Sequence, residues 1–135
     1  MDLFSKWLDA LDERHRRALS FQEVRRGVQA LSSLYVERRS RIGQGAALDG
    51  AGKRAAFATY FAPLHFLLVR EIVRALGASS FPVPALLDLG CGTGVSGAAW
   101  ASERAPAPRV TGVDRNPWAV SEARWTYNAF GLEGT

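Results

Sequence analysis

The first part of the chain spaces its apolar side chains as amphipathic helices do. Apolar residues recur every three or four positions over residues 3–11, and Asp2 stands where the cap of that helix would lie. A second helix is predicted to begin after Ser20, because Ser20 and Glu23 form the S-x-x-E pattern of a capping box. Its apolar stripe continues over residues 24–35. The chain therefore opens with two helices that each have one apolar face.

A glycine-rich stretch and a proline interrupt the next helical pattern. Residues 42–52 contain four glycines, which predicts a loop between helices more readily than a binding loop. Residues 53–76 again have helical periodicity, but Pro63 lies among them. Proline lacks an N–H group and clashes with the preceding turn. We therefore expect two helices or one kinked helix, with the second part starting near Ala62 and ending at Gly77.

After residue 84 the pattern changes from helical to alternating. Residues 85–89 form a short apolar run that predicts a buried parallel strand, and residues 95–104 predict a helix. Residues 109–114 predict a second strand, and a helix capped by Asn116 follows to about residue 130. Strand, helix, strand and helix in this order make a right-handed parallel unit.

These elements predict an α/β fold. Residues 1–80 are expected to form a helical N-terminal region, and residues 81–135 are expected to be the first part of a domain of parallel strands and crossover helices. Two parallel strands do not make a stable sheet, and a third strand is expected just after Leu132. We therefore expect the 135 residues to be the N-terminal part of a longer protein, with the α/β domain incomplete.

Composition excludes several classes of protein and site. Cys91 is the only cysteine, so neither an internal disulfide nor a cysteine metal cage can form within the chain. Two histidines are too few to indicate a metal site, and we expect none. No secretory signal pattern opens the sequence, and its apolar runs are shorter than the ~20 residues of a membrane span. We expect a cytoplasmic protein without a membrane partner.

The positive charge is concentrated at the start of the chain. The net charge is +4, and residues 1–54 contain 11 Lys and Arg against 7 Asp and Glu. Fifteen of the 17 basic residues are arginine, which binds phosphate in a bidentate manner and so favours a nucleic-acid partner. A bias of the coding sequence towards arginine and alanine explains the same composition without any such partner.

The segment Leu86-Leu87-Asp88-Leu89-Gly90-Cys91-Gly92-Thr93-Gly94 carries the candidate chemistry. Gly90 lets the chain leave the strand sharply, Gly92 lets backbone approach a ligand, and Gly94 is expected to let the next helix pack close to the strand. Cys91 fits this loop as a small residue better than as a reactive thiol. Asp114 ends the second strand, where its carboxylate can accept hydrogen bonds from a ribose diol.

The identity of the ligand depends on Asp88. Gly92-x-Gly94-x-x-Gly97 also satisfies the dinucleotide pattern G-x-G-x-x-G, so an NAD(P) oxidoreductase is an alternative. A carboxylate at the mouth of the loop repels a pyrophosphate, whereas it attracts the sulfonium and ammonium groups of S-adenosylmethionine. Electrostatics therefore favours S-adenosylmethionine over NAD.

The sequence L-L-D-L-G-C-G-T-G resembles the first motif of class I S-adenosylmethionine-dependent methyltransferases, and V-T-G-V-D-R-N-P resembles their second. The resemblance covers about residues 84–131 and implies a Rossmann-like domain that transfers a methyl group to an unidentified acceptor. It implies no catalytic residue within this chain. The cofactor-binding residues that it implies are Asp88, Gly90, Cys91, Gly92, Gly94, Asp114, Arg115 and Asn116.

The helical front end has a weaker resemblance to the methyltransferase-like family associated with the small ribosomal subunit. That family has a Tyr-x-x-Tyr-Arg-x-Pro pattern before its glycine motif. This chain keeps Tyr60 and Pro63 but has Phe57 and Phe61 at the other positions. The resemblance implies either an RNA-directed enzyme or a non-catalytic assembly factor that binds S-adenosylmethionine. The residues that would then face RNA are Arg25, Arg26, Arg38, Arg39 and Arg41.

Overall fold

Two capped helices begin the chain, as the sequence predicted. The computed structural model describes residues 1–17, 19–44 and 46–135. Helix α1 spans Leu3–Arg16, and the Asp2 carboxylate accepts the N–H of Ser5 at 2.8 Å. Helix α2 spans Phe21–Glu37 and begins with a capping box. The hydroxyl of Ser20 accepts the N–H of Glu23, whose carboxylate accepts the N–H of Ser20 at 2.7 Å.

The first compact unit, Met1–Ala62, contains a close crossing of two helices. A methyl group added to Gly27 in α2 would lie 2.2 Å from the carbonyl oxygen of Gly52, so only glycine fits there. Instead of an open loop, residues Arg39–Gln44 and Ala46–Leu48 form 3₁₀ turns, while Gly45 lies outside the described residues. The buried cluster beside this crossing is made by Leu31, Leu34, Ala46, Ala47 and Ala56.

The helical stretch around Pro63 contains a change of hydrogen-bond pattern. Helix α3 spans Ala51–Ala56, a π-helical turn covers Phe57–Phe61, and helix α4 spans Ala62–Ala75. In the π turn the N–H of Ala62 donates to the carbonyl of Phe57, five residues earlier. The π turn ends two residues before Pro63, which has no N–H to donate. The predicted second start near Ala62 is confirmed.

By length and composition, residues 51–75 form one helix that is able to cross a membrane. No membrane span was predicted from sequence, because the longest strongly apolar stretch, residues 55–69, is shorter than the ~20 residues that a span needs. A single helix of this kind is weak evidence of a membrane span, since core helices of soluble proteins meet the same description.

The second compact unit, Pro63–Thr135, contains the predicted parallel strands. Strand β1 spans Ala85–Leu89, helix α5 Val95–Ser102, strand β2 Arg109–Val113 and helix α6 Pro117–Ala129. The strands pair in parallel with Ala85 opposite Arg109. Gly134 forms an isolated parallel bridge with Val110 on the other edge of β2, at the place where a third strand was expected.

The sequence predicted that β1 is a parallel strand buried on both faces. The strand is parallel, but only one of its faces is covered. Leu87 and Leu89 are 60% and 73% exposed. Side chains alternate along a strand, and the opposite face carries Asp88 and, on the neighbouring strand, the fully buried Val110. Within the described residues, α5 and α6 pack on that face: Gly97 of α5 lies against Asp88 and Val110, and Tyr127 of α6 lies against Gly112.

The two compact units divide after Ala62, whereas the sequence placed the end of the helical region near residue 80. Helix α4 accounts for the difference. The Phe66 ring stacks on Phe130, which directly follows α6, with their centroids 4.8 Å apart. Arg74 forms an ion pair with Glu103, just after α5, at 2.8 Å. Helical periodicity alone does not reveal which neighbours a helix packs against.

Candidate cofactor site

The turn between β1 and α5 is hydrogen-bonded to the end of β2. The backbone N–H groups of Gly90 and Cys91 both donate to the carbonyl of Val113, at 2.7 and 3.0 Å. Gly90, Gly92 and Gly94 have φ angles of +70°, +53° and +77°. L-residues with side chains rarely adopt these angles. The alternating glycines therefore fold the turn into one tight loop at the carboxyl ends of the strands.

Asp114 connects the two motifs that the sequence separates by twenty residues. One of its carboxylate oxygens accepts the N–H of Gly92 at 3.0 Å, and the other accepts the N–H of Asn116 at 2.8 Å. Asn116 in turn caps α6 by accepting the N–H of Trp118 at 3.0 Å. A carboxylate has about four lone-pair positions, so Asp114 can still accept hydrogen bonds from a ligand.

Asp88 lies between the strand and the following helix. Its carboxylate accepts the N–H of Gly97, in the first turn of α5, at 2.9 Å. Burial raises the pKa of Asp88, the hydrogen bond from Gly97 opposes that shift, and the negative charge of Asp114 adds to it. The site therefore holds two carboxylates that repel each other, an arrangement that a cationic ligand relieves.

Gly94 does not have the role expected of it, and Gly97 has that role instead. A methyl group on Gly94 would lie 2.9 Å from the backbone of Ala123 in α6, so Gly94 permits contact with α6 and not with the strand. The close approach of α5 to the sheet occurs at Gly97. A methyl group there would lie 3.0 Å from both Asp88 and Val110. The third glycine of the G-x-G-x-x-G pattern thus has a packing role.

Tyr127 packs against Gly94 of the loop and Gly112 of β2, a role that was not predicted from sequence. Its side chain is fully buried, and its hydroxyl has no hydrogen-bond partner among the described residues. A methyl group on Gly112 would lie 2.6 Å from that hydroxyl, and one on Gly134 equally close to the ring. A glycine inside a strand indicates a close approach of another group, so Gly112 was the available signal.

Cys91 is a buried residue of the loop. Burial and the neighbouring charges of Asp88 and Asp114 raise the pKa of its thiol to about 11. The thiol is therefore protonated at neutral pH, which disfavours a nucleophilic role and supports its interpretation as a small packing residue.

The sites named from sequence fall into two groups. The loop residues and Asn116 surround Asp114, and Arg115 is exposed beside it. A methyl group at Gly90 would meet nothing within 4 Å, so space is open in front of the loop. Open space, a loop of backbone groups and two carboxylates fit a cationic nucleoside. The five arginines expected to face RNA are exposed and lie in the first unit: Arg25, Arg26, Arg38, Arg39 and Arg41.

Comparison with known proteins agrees with this geometry. Residues 70–135 match the family described as methyltransferase small domain. This match supports the resemblance of these residues to class I S-adenosylmethionine-dependent methyltransferases. The match begins inside α4 and includes both strands, the glycine loop and Asp114. The Rossmann-like α/β fold expected from the motifs is therefore confirmed for the second unit.

One curated relative is similar to a short part of the chain. Over 49 residues the chain is 51% identical to "Ribosomal RNA small subunit methyltransferase C" of Pseudomonas aeruginosa (strain LESB58). The match covers 36% of this chain and 14% of the relative, so the chain spans a small part of that protein's length. It agrees with the weaker resemblance to proteins of the small ribosomal subunit. No solved structure matches the chain.

Proposed function

We propose that the protein containing this chain transfers a methyl group from S-adenosylmethionine to RNA of the small ribosomal subunit. The observation that carries the proposal is the position of Asp114. Its carboxylate holds Gly92 of the glycine loop and Asn116 at the start of α6, where the ends of the two strands meet. In open α/β sheets, ligands bind outside the carboxyl ends of the strands.

The residues present suit S-adenosylmethionine. Asp114 would accept hydrogen bonds from the ribose hydroxyls, and Arg115 and Asn116 would flank the adenine. The loop from Gly90 to Gly94, together with Asp88, would hold the methionine part. When bound, the cofactor supplies an electrophilic methyl group, and the chain's own contribution is to position it. The mutual repulsion of Asp88 and Asp114 favours a sulfonium and an ammonium over a pyrophosphate.

RNA is proposed as the acceptor on two grounds. The relative named above is a methyltransferase of small-subunit ribosomal RNA. The first 54 residues hold all the excess positive charge of the chain, and the five arginines named from sequence are exposed there. Arginines on a surface neutralise backbone phosphates and give an affinity that decreases as salt increases. A cytoplasmic location, predicted from sequence, suits such an acceptor.

Calorimetry on the intact protein tests the cofactor. We expect saturable binding of S-adenosylmethionine and no binding of NAD at the same concentration. Preference for NAD would contradict the proposal and support the oxidoreductase alternative.

Transfer of a labelled methyl group tests the acceptor. The intact protein is incubated with labelled cofactor and, separately, with small-subunit RNA, ribosomal protein and a metabolite extract. We expect label in the RNA alone. Cofactor binding without transfer to any of the three would support the non-catalytic assembly factor, and label in protein or metabolites would rule out RNA as the acceptor.

A further inference from the structure

A pocket of about 300 Å³ lies in the first unit, away from the glycine loop in sequence. The end of α1, the start of α2 and the π turn form its walls. Its lining includes two aromatic rings, Phe21 and Tyr60, and two guanidinium groups, Arg16 and Arg25. The family match at residues 70–135 does not include this part of the chain, where the weaker resemblance implies only that Arg25 faces RNA.

The rings of the pocket are available for stacking. Phe21 is 68% exposed and Tyr60 is 49% exposed, although burial of such rings stabilises a fold. Phe61 packs edge-on against Tyr60, with centroids 5.2 Å apart and planes at 86°. This contact restricts the Tyr60 ring before any ligand arrives, which lowers the entropic cost of binding.

The polar groups of the pocket are suited to a nucleotide. Arg16 forms an ion pair with Asp12 at 2.8 Å, whereas Arg25 has no ion pair within the described part of the chain. A free guanidinium can bind a phosphate in a bidentate manner. A carboxylate such as Asp12 accepts hydrogen bonds from the amino group of a base.

We propose that this pocket takes an unpaired base of an RNA strand, stacked on Phe21 and Tyr60, with Arg25 on a flanking phosphate. Single-stranded RNA is recognised by aromatic rings that stack on splayed bases and by cations along the backbone. An apolar peptide side chain would also fill the space. The excess of positive charge in the first 54 residues favours a polyanion. The inference rests on the proposed function in taking RNA as the partner.

Two RNA strands of equal length and charge test the pocket on the intact protein. One is a fluorescent single-stranded 12-mer with all its bases, and the other has stable abasic sites throughout. We expect fluorescence anisotropy to show at least tenfold tighter binding of the strand with bases. The ratio of the two affinities reports base stacking on aromatic rings, because the phosphate contacts are the same for both strands.

Substitutions in the pocket then test which side chains cause the tighter binding of the strand with bases. Phe21→Ala and Tyr60→Ala are each expected to weaken binding of the strand with bases by about fivefold or more and to leave the abasic strand unchanged. Arg25→Gln is expected to weaken both strands and reduce the salt slope by about one. Phe81→Ala removes an equally exposed ring of the second unit and should change neither. Phe21→Trp and Tyr60→Trp, which keep a ring, should retain the preference.

Equal affinity for the two strands overturns the base pocket, even if the alanine variants fail to fold. So does a preference that survives both alanine substitutions. Failure to bind either strand also overturns it, and a peptide then becomes the better occupant. Calorimetry with S-adenosylmethionine on the same samples separates these outcomes from a failure of the proposed cofactor site, because the residues proposed to hold the cofactor lie in the second unit and the pocket lies in the first.

Discussion

At the scale of single residues, Asp114 combines a structural and a ligand-binding role. Its carboxylate accepts backbone N–H groups from Gly92 and Asn116, so it shapes the loop before a cofactor arrives. Hydrogen bonds to a charged group contribute about 1.5–3 kcal/mol each. We expect Asp114→Ala to weaken S-adenosylmethionine binding by roughly tenfold or more, as measured by calorimetry. Glu71→Ala, at an exposed position of α4, is the control, and equal losses in both variants would contradict this role.

Asp88 makes a separate prediction about pH. Its pKa lies above the ordinary value of 3.8, and a cationic ligand favours the ionised carboxylate. As the pH falls from neutrality through this raised pKa, Asp88 becomes protonated and loses its attraction for the cofactor. We expect the affinity for S-adenosylmethionine to decrease over that range. Asp88→Asn, which can still accept the N–H of Gly97, should bind more weakly and without this dependence. The same pH profile in both proteins would contradict the assignment.

At the scale of elements, the start of α5 depends on its contact with α6. Gly94 and Gly90 both have positive φ angles, so an alanine at either position is strained. Only Gly94 also lies against α6, where a methyl group would be 2.9 Å from Ala123 and Tyr127. Overpacking of this kind costs about 1–3 kcal/mol. We expect Gly94→Ala to lower the free energy of unfolding by at least ~1 kcal/mol more than Gly90→Ala, as measured by denaturant unfolding.

The same pair of variants separates folding from binding. Gly90 faces open space, so Gly90→Ala should lose only the cost of its positive φ, about 1–2 kcal/mol, while its methyl group enters the space in front of the loop. Calorimetry should then show a clear loss of cofactor affinity in that variant. If Gly90→Ala bound S-adenosylmethionine as tightly as the parent, the ligand would not approach the loop at this point.

The helices and strands could be predicted from the sequence because the residues that begin and end them act locally. The capping box at Ser20, the proline at position 63 and the cap at Asn116 each act within one turn of a helix. The roles of Gly94, Gly97 and Tyr127 could not be read, because they depend on which helix packs against which strand. The exposed face of β1 was missed for the same reason, since an apolar run does not show how many of its faces are covered.

At the scale of the whole molecule, charge and chemistry are divided between the two compact units. Residues 1–54 hold the excess of positive charge, and the described carboxylate pair and glycine loop lie in the second unit. Because multidomain chains need not unfold in one transition, the two units can differ in stability. A ligand stabilises the folded unit that binds it, by about 2.7 kcal/mol when its concentration is a hundredfold above Kd.

This division makes a prediction that does not depend on the acceptor. Addition of S-adenosylmethionine should slow amide hydrogen exchange in the loop from Gly90 to Gly94, around Asp114 and through α5, and leave α1 and α2 unchanged. The loop amides are the informative ones, because Gly92 already donates to Asp114 and gains protection only if the ligand closes over that bond. Protection confined to the first unit would place the cofactor elsewhere, and the carboxylate pair would then have only its structural role.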